Sequence, residues 1–580
     1  MKKIIFPLFS LALFASCQLN ELPEDMASNQ SVFGSEKGLE LYSNSFYKLL
    51  PGAESVFLGD NMSDYVSRTN VPSFIGENTY SAVDGSGWSW SDLRNINYFL
   101  ENLPDAKVSA DVKNNYTALA RFFRALFYFE KVKRFGDVPW VNRTLSMDDE
   151  LLYAGRDPRH VVMDSVLADI DFACKHIART KDDSRSLITR DIALGYKSRI
   201  CLFEGTFRKY HHVQSDSRAW LLQSVEASQA IIDNATYTLY EEKGSIASYR
   251  ELFISKKPVK SEIMLAYVCD AALNVTTAAN RRYNSPTYGD RPSLTRRFVN
   301  TYLKTDGTPF TDLPGYETIS FGEEVKERDH RLQQTIRLGD YKRTANGVPF
   351  NAAPDFLITS TGYQPIKWSF DESLPYDNES LNDNSISILR YAEILLNYAE
   401  AKAELGSLTD NDWSKSIGAL RRRAGITGGT EQIPNRIDPY LQKNFYPNVT
   451  DAAILEIRRE RAIELALEGF RFHDLIRWRA GELMEAPFNG IYVPALNVAI
   501  DLNQDGKGDV RFYQGEKPVT ISGVIDIDVS QGKNYSLSHG TSGELNWNPG
   551  IRSWEEKKYF YPIPEKDRLE NENLGQNPGW

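Results

Sequence analysis

Asp501, Asn503, Asp505 and Asp509 place side-chain oxygens at positions 1, 3, 5 and 9 of the run DLNQDGKGD, with Gly506 at position 6 and Lys507 beside it. This is the front of an EF-hand-type loop, in which alternate residues converge on a hard cation and glycine permits the sharp turn. Position 12 is Phe512, so the bidentate acid is missing. Two readings stay open: a structural calcium site completed from elsewhere, and a solvated Asx/Gly turn. No other segment asks for a cofactor. The seven histidines include no H-E-x-x-H, and their one close pair is the adjacent His211-His212. No G-x-S-x-G elbow, P-loop or GxGxxG before a helix occurs. Carboxylates are plentiful, and two facing each other across a cleft would make a glycosidase pair, but no segment resembles a glycosidase active-site strand.

The elements that must position any site are drawn from 580 residues that are 41% hydrophobic and 25% charged, the balance of a soluble globular chain with ample core. A net charge of −11 argues against gripping nucleic acid. The 29 Phe, 30 Tyr and 10 Trp supply faces on which flat apolar surfaces such as sugar rings can stack, besides building a core.

Lys2 and Lys3 precede an apolar run from Ile4 to Ala15, which is too short to span a ~30 Å hydrocarbon core as a helix. Residues 1–16 therefore read as a secretion signal. Ala15-Ser16 before Cys17 resembles a bacterial lipoprotein cleavage site, which would make Cys17 the lipidated N-terminus. Cys174, Cys201 and Cys269 are far apart without C-x-x-C spacing and read as buried free thiols.

Asn20 to Ser35 reads as an extended leader. Beyond it, helical periodicity dominates: Asp111–Arg134 ending before Gly136, Val161–Ala178, Thr189–Phe207, Trp220–Ile232, and the pair Ile388–Leu405 and Asp412–Arg423 with Gly406 as a stop. The last pair has about the length of a tetratricopeptide repeat. The regions 237–387 and 486–556 are irregular and rich in Gly, Asn and Asp, with a short strand at Glu262–Cys269. One α-rich domain with tetratricopeptide-like helical hairpins, long irregular loops and a few short strands accounts for residues 36–580.

Five segments taken together carry a family resemblance: WSWSDLRNINYFLENL at 88–103, RFFRALFYFEKVKRFGDVPW at 121–140, ILRYAEILLNYAEAKAEL at 388–405, IRRERAIELALEGFRFHDLIRW at 457–478 and the tail YFYPIPEKDRLENENLGQNPGW at 559–580. In order, they resemble the RagB/SusD family of outer-membrane nutrient-binding lipoproteins of Bacteroidetes. The physical reading of these segments is structural. Arg461–Glu464, Glu468–Arg471 and Asp474–Arg477 read as i,i+3 pairs on helical surface that lock helices together, and the proline-bearing tail reads as non-helical chain laid over the body.

The resemblance implies a non-catalytic binder: a protein on the outer face of the outer membrane that holds a glycan in a shallow aromatic site and delivers it to a SusC-like TonB-dependent transporter. Peptide cargo, or a lipoprotein endo-glycanase, are the alternatives. Such a site needs aromatic faces for sugar C–H surfaces and Arg, Asn or Asp for hydroxyls. Two loops have that composition: Gly59–Tyr80, with Asp64, Tyr65, Arg68, Asn70 and Phe74, and Asn280–Arg291, with Arg281, Arg282, Tyr283, Tyr288 and Arg291. Trp88 and Trp368 complete the candidate set, while Trp90 reads as a helix anchor.

Overall fold

The long helices begin and end where local chemistry directs. In the computed structural model, which describes residues 29–213 and 216–580, the Ala110–Phe135 helix is capped by the Ser109 side chain accepting from the Val112 amide, carries Lys133 and Arg134 in its last turn, and stops at Gly136 with φ 75°. Phe122 through Phe129 includes buried side chains on every side of this helix except at Arg124. It is therefore sandwiched and not laid on the surface. It packs on Arg159–His176, and Arg190–Tyr210 packs on Ser217–Asn234. Tyr391–Glu404 then lies against both Ser217–Asn234 and Ala452–Glu464. These paired helices enclose one apolar body. A second body sits under the loop-rich half, among Tyr65, Phe298, Tyr363, Trp368 and Phe512.

The helix expected from Ile388 starts at Tyr391, because Ile386–Arg390 is a strand paired antiparallel with Ile263–Tyr267. Its β-branched residues are buried on both faces, which a continuous apolar run satisfies as well as a helical period does. The following segment is broken at Ser416 into Asp410–Lys415 and Ile417–Arg423, with Thr409 and Asp412 forming a capping box. Asn29–Phe33, read as extended, is helical. In the tail, Glu565–Glu570 forms a helix directly after Pro564, since prolines that flank a helix start do not interrupt it. The signal peptide and Cys17 lie outside the described residues.

The irregular regions supply small sheets. Gly543–Trp547 is paired antiparallel with both Tyr535–Leu537 and Phe488–Val493. Val510–Tyr513 lies between Ala499–Ile500 and Ile525–Asp528. The smallest ladder matters most for function: Val66–Ser67 pairs antiparallel with Ser293–Leu294.

The charged lattice of the 457–478 segment is buried. The Ala452–Glu464 helix ends at Glu464, and Leu467 (φ 63°) and Gly469 (φ 82°) turn the chain, so Glu468 and Arg471 do not share a helical face. Of the three expected pairs only Asp474–Arg477 forms, at 2.8 Å. Glu464 instead joins Arg331, Arg390 and Arg423, Glu468 joins Lys367 and Arg390, and Arg461 joins Asp474. The Arg471 guanidinium holds Asp64, its partner 407 residues away, at 2.7 and 2.8 Å. The role of this lattice is to fasten elements together, and its position is interior.

Candidate functional site

The ladder between Val66–Ser67 and Ser293–Leu294 brings the two candidate segments side by side; the second, read as a loop, opens with a short helix, Ala279–Asn284, that carries Arg281, Arg282 and Tyr283. Hydroxyl contacts reinforce it: Ser67 Oγ lies 2.6 Å from Ser360 Oγ, and Ser293 Oγ accepts from the Thr359 hydroxyl and the Ser360 amide, each at 2.9 Å. Arg68, one residue past the strand, reaches Asp290 at 3.4 Å. Asp290 also faces Arg282 at 3.6 Å, and Arg282 pairs with Glu54 at 3.2 Å. The Arg281 guanidinium lies 4.7 Å over the ring of Tyr288, which is 56% exposed. Arg291 donates to the carbonyls of Ile358 and Phe356 at 3.2 and 3.4 Å. It does so with φ 53°, a backbone conformation that a long side chain adopts at a cost of order 1–3 kcal/mol and that clusters at functional sites.

Two residues of the second irregular region complete the cluster, and neither stands out in the sequence. Trp547 donates its indole N–H to the Arg68 carbonyl at 2.9 Å, and Tyr535 lies with its ring centroid 4.6 Å from that of Trp547. Burial pushes the Tyr535 hydroxyl up to about 12, with the Arg291 charge pulling against it. The alternation YSL and GELNW is the available signal for paired strands there, but nothing local ties those strands to Arg68. Asn70 is exposed at the rim. The cluster thus presents one exposed aromatic ring and guanidinium donors, with Asp290 bound between two arginines and Glu54 paired with one of them.

The other sequence candidates do not belong to it. Tyr65 is 1% exposed, stacked on Phe298 at 4.2 Å, with its hydroxyl donating to Asp60 and accepting from the Leu467 amide. Asp64 is buried; desolvation alone would raise its carboxyl, but Arg471 holds it below the usual carboxylate range. Phe74 is buried and stacked on Tyr561 at 3.8 Å. Tyr283 is buried and donates to the Phe57 carbonyl at 2.6 Å, and Trp368 is buried with its indole N–H on the Leu467 carbonyl at 2.8 Å. Trp88 is buried edge-on against Trp90 and Phe135, at the wall of a separate 660 Å³ cleft shared with Leu151, Leu152 and Tyr153. The aromatic rings bury their faces, with Tyr65, Tyr283 and Trp368 finding internal partners for their polar ends, and Asp64 is held by Arg471.

In the Asp501–Asp509 loop the oxygens turn onto backbone amides. Asp501 accepts from the Asp505 and Gly506 amides, Asn503 from Asp505, Asp505 from Lys507, and Asp509 from Leu502. Burial raises the Asp509 carboxyl, with Asp501 and Asp505 adding to it. Among the described residues no group of three or more His, Cys, Asp or Glu side chains is placed to share one metal ion. These bonds make an Asx/Gly turn, an arrangement compatible with either reading of the loop. His211 of the adjacent histidine pair sits at 2.7 Å from the Ile476 carbonyl, and burial lowers it to about 4. Cys201 and Cys269 are buried free thiols, and Cys174 is partly exposed.

The chain belongs to the SusD family, whose sequence profile matches residues 261–580, more than half of its length. A second profile, described as starch-binding and associating with the outer membrane, matches residues 33–198. The chain is 21% identical to SusD-like protein P2 of Formosa agariphila over 506 residues, covering 84% of this chain and 92% of that one. It is 24% identical to SusD-like protein P25 of the same organism over 478 residues, covering 78% and 80%. A solved SusD-like carbohydrate binding protein from Bacteroides fragilis superposes with TM-score 0.68 at 21% identity, over 94% of this chain and all of that one. Surface glycan-binding protein A from Bacteroides fluxus does so with TM-score 0.58 at 16%, over 94% of this chain and 100% of that one. The paired-helix scaffold with its loop-rich half is the SusD-like fold.

Proposed function

We propose that this protein is a cell-surface glycan binder that captures its ligand without cleaving it, at the cluster formed by Arg68, Arg281, Tyr288, Asp290 and Arg291. The observation that carries the reading is the exposed Tyr288 ring with the Arg281 guanidinium over it, beside the ladder where the two segments meet. An aromatic face for sugar C–H surface and fixed donors for hydroxyls are what reversible saccharide capture requires. Membership of the SusD family, and solved relatives named for carbohydrate and surface-glycan binding, support the same reading. On it, Cys17 carries the lipid that tethers the protein to the outer membrane, and a TonB-dependent transporter receives the ligand. No described helix is long and apolar enough to cross a membrane.

Affinity electrophoresis of the full chain in detergent, through gels cast with individual polysaccharides, tests this. Retardation by a glycan with no release of reducing ends is expected, and Tyr288→Ala should lose about tenfold in affinity, roughly 1.4 kcal/mol, without lowering the melting temperature. Shortening of the glycan would instead establish an endo-glycanase.

A further inference from the structure

We infer that the ligand of this site is an anionic glycan, one carrying carboxylate or sulfate groups; the inference rests on the glycan-binding reading above and specifies its substrate class. Four arginines lie on the two segments that flank the ladder: Arg68, Arg281, Arg282 and Arg291. The carboxylates within ion-pair distance of them are Asp290, shared by Arg68 and Arg282, and Glu54, held by Arg282. Arg281 and Arg291 have no carboxylate partner among the described residues. Arg281 is spread over the Tyr288 ring, and Arg291 spends its donors on two main-chain carbonyls, which leave its charge uncompensated.

The surroundings make this excess informative. The chain as a whole carries a net charge of −11, so a polyanion is repelled by the molecule at large and attracted only where arginines gather without matching acids. Arginine is the residue suited to such a ligand, because its planar fork meets a carboxylate or sulfate through paired N–H donors and stays charged throughout. Neutral hydroxyls need no such excess; donors that are already compensated, or amides such as Asn70, serve them equally well. The strained backbone at Arg291, φ 53°, holds one of the two unpaired charges at the ladder's end, beside Tyr535. A sugar ring on Tyr288 then has its acidic substituent beside the Arg281 guanidinium.

Dextran and dextran sulfate share a backbone and differ in charge, and polygalacturonate adds a carboxylate polymer. Native affinity gels of the full chain in detergent, run with each of these and with soluble starch, read the inference directly. Retardation by dextran sulfate or polygalacturonate but not by dextran or starch is expected. Salt at about 1 M, which shortens the Debye length to ~3 Å, should abolish it. Arg281→Gln, which touches no buried contact, should weaken it about tenfold or more, and Arg281→Lys should recover part of the loss. Arg291→Gln should weaken it similarly; should that variant misfold, the salt series and Arg281→Gln still decide. Retardation by dextran or starch equal to or stronger than that by the charged polymers overturns the anionic inference and leaves the glycan reading standing. Salt-insensitive binding to the charged polymers overturns it too. Retardation by none of the four overturns both.

Discussion

Asp60, in the same Gly59–Tyr80 segment as Arg68, lies fully buried, accepting from the Tyr65 hydroxyl at 2.5 Å and from the Arg471 amide at 3.0 Å. Desolvation raises its carboxyl to about 6, partly opposed by those hydrogen bonds. Between its ordinary 3.8 and about 6 the folded chain holds a proton that the unfolded chain has released. The stability tied to this group is therefore full below about 3.8 and is lost as pH rises through about 6. Asp60→Asn keeps the acceptor for the Arg471 amide and removes the titration. The unfolding free energies of variant and parent from urea titrations, compared across that interval, should diverge in the variant's favour by about 3 kcal/mol toward neutral pH, at about 1.4 kcal/mol per pH unit. A constant gap would show that Asp60 does not titrate in that window. At this scale the sequence was partly legible. Tyr288, Arg68 and Arg291 were recognisable by type within loops of the right composition, whereas Tyr65, Tyr283 and Trp368 have the same chemistry and are spent on the core. Residue type does not distinguish a ring that faces solvent from one that faces Phe298.

Glu464 closes the Ala452–Glu464 helix and ties three other elements to it: the Arg331–Thr335 helix through Arg331, the Ile386–Arg390 strand through Arg390, and the Ile417–Arg423 helix through Arg423. Burial would raise its carboxyl, yet the three guanidinium charges hold it well below the usual carboxylate range. Removing the charge strands buried arginines, and breaking such a cluster costs about 3–5 kcal/mol. Glu464→Gln should therefore lower the urea midpoint strongly, while the fraction that remains folded retains its glycan retardation, because no residue of the surface cluster touches Glu464. An unchanged midpoint would remove the lattice from the account of stability. The helix boundaries were mostly readable, since caps, glycine stops and a 3.6-residue period are local. The strand at Ile386–Arg390 was not, because a short buried apolar run fits either element and only its pairing with Ile263–Tyr267 decides.

For the whole molecule, an acidic chain bears the proposed site where segments more than 200 residues apart meet. Attachment at Cys17 would confine such a molecule to a surface, where contact with a transporter adds avidity to the lipid's own hold. Labelling cells with a radioactive fatty acid should mark the parent protein and not Cys17→Ser, which should be released from the outer-membrane fraction. A labelled Cys17→Ser would place the lipid elsewhere, and an unlabelled parent would deny it.

The sequence by itself determined the α-rich architecture, the positions of the main helices and the resemblance to the SusD family, because these rest on short-range periodicity, capping and ordered motifs. It also offered candidate ligand residues by type in two segments outside the main helices. Tertiary structure alone decided which of them reach solvent together. The Val66–Ser67 ladder with Ser293–Leu294, the Arg68–Asp290 pair and the Trp547 bond to Arg68 join segments separated by hundreds of residues. Burial decided the rest. An ion pair such as Arg471–Asp64 satisfies charges that, at helical spacing, suggested surface partners, and no local pattern records a partner 407 residues away.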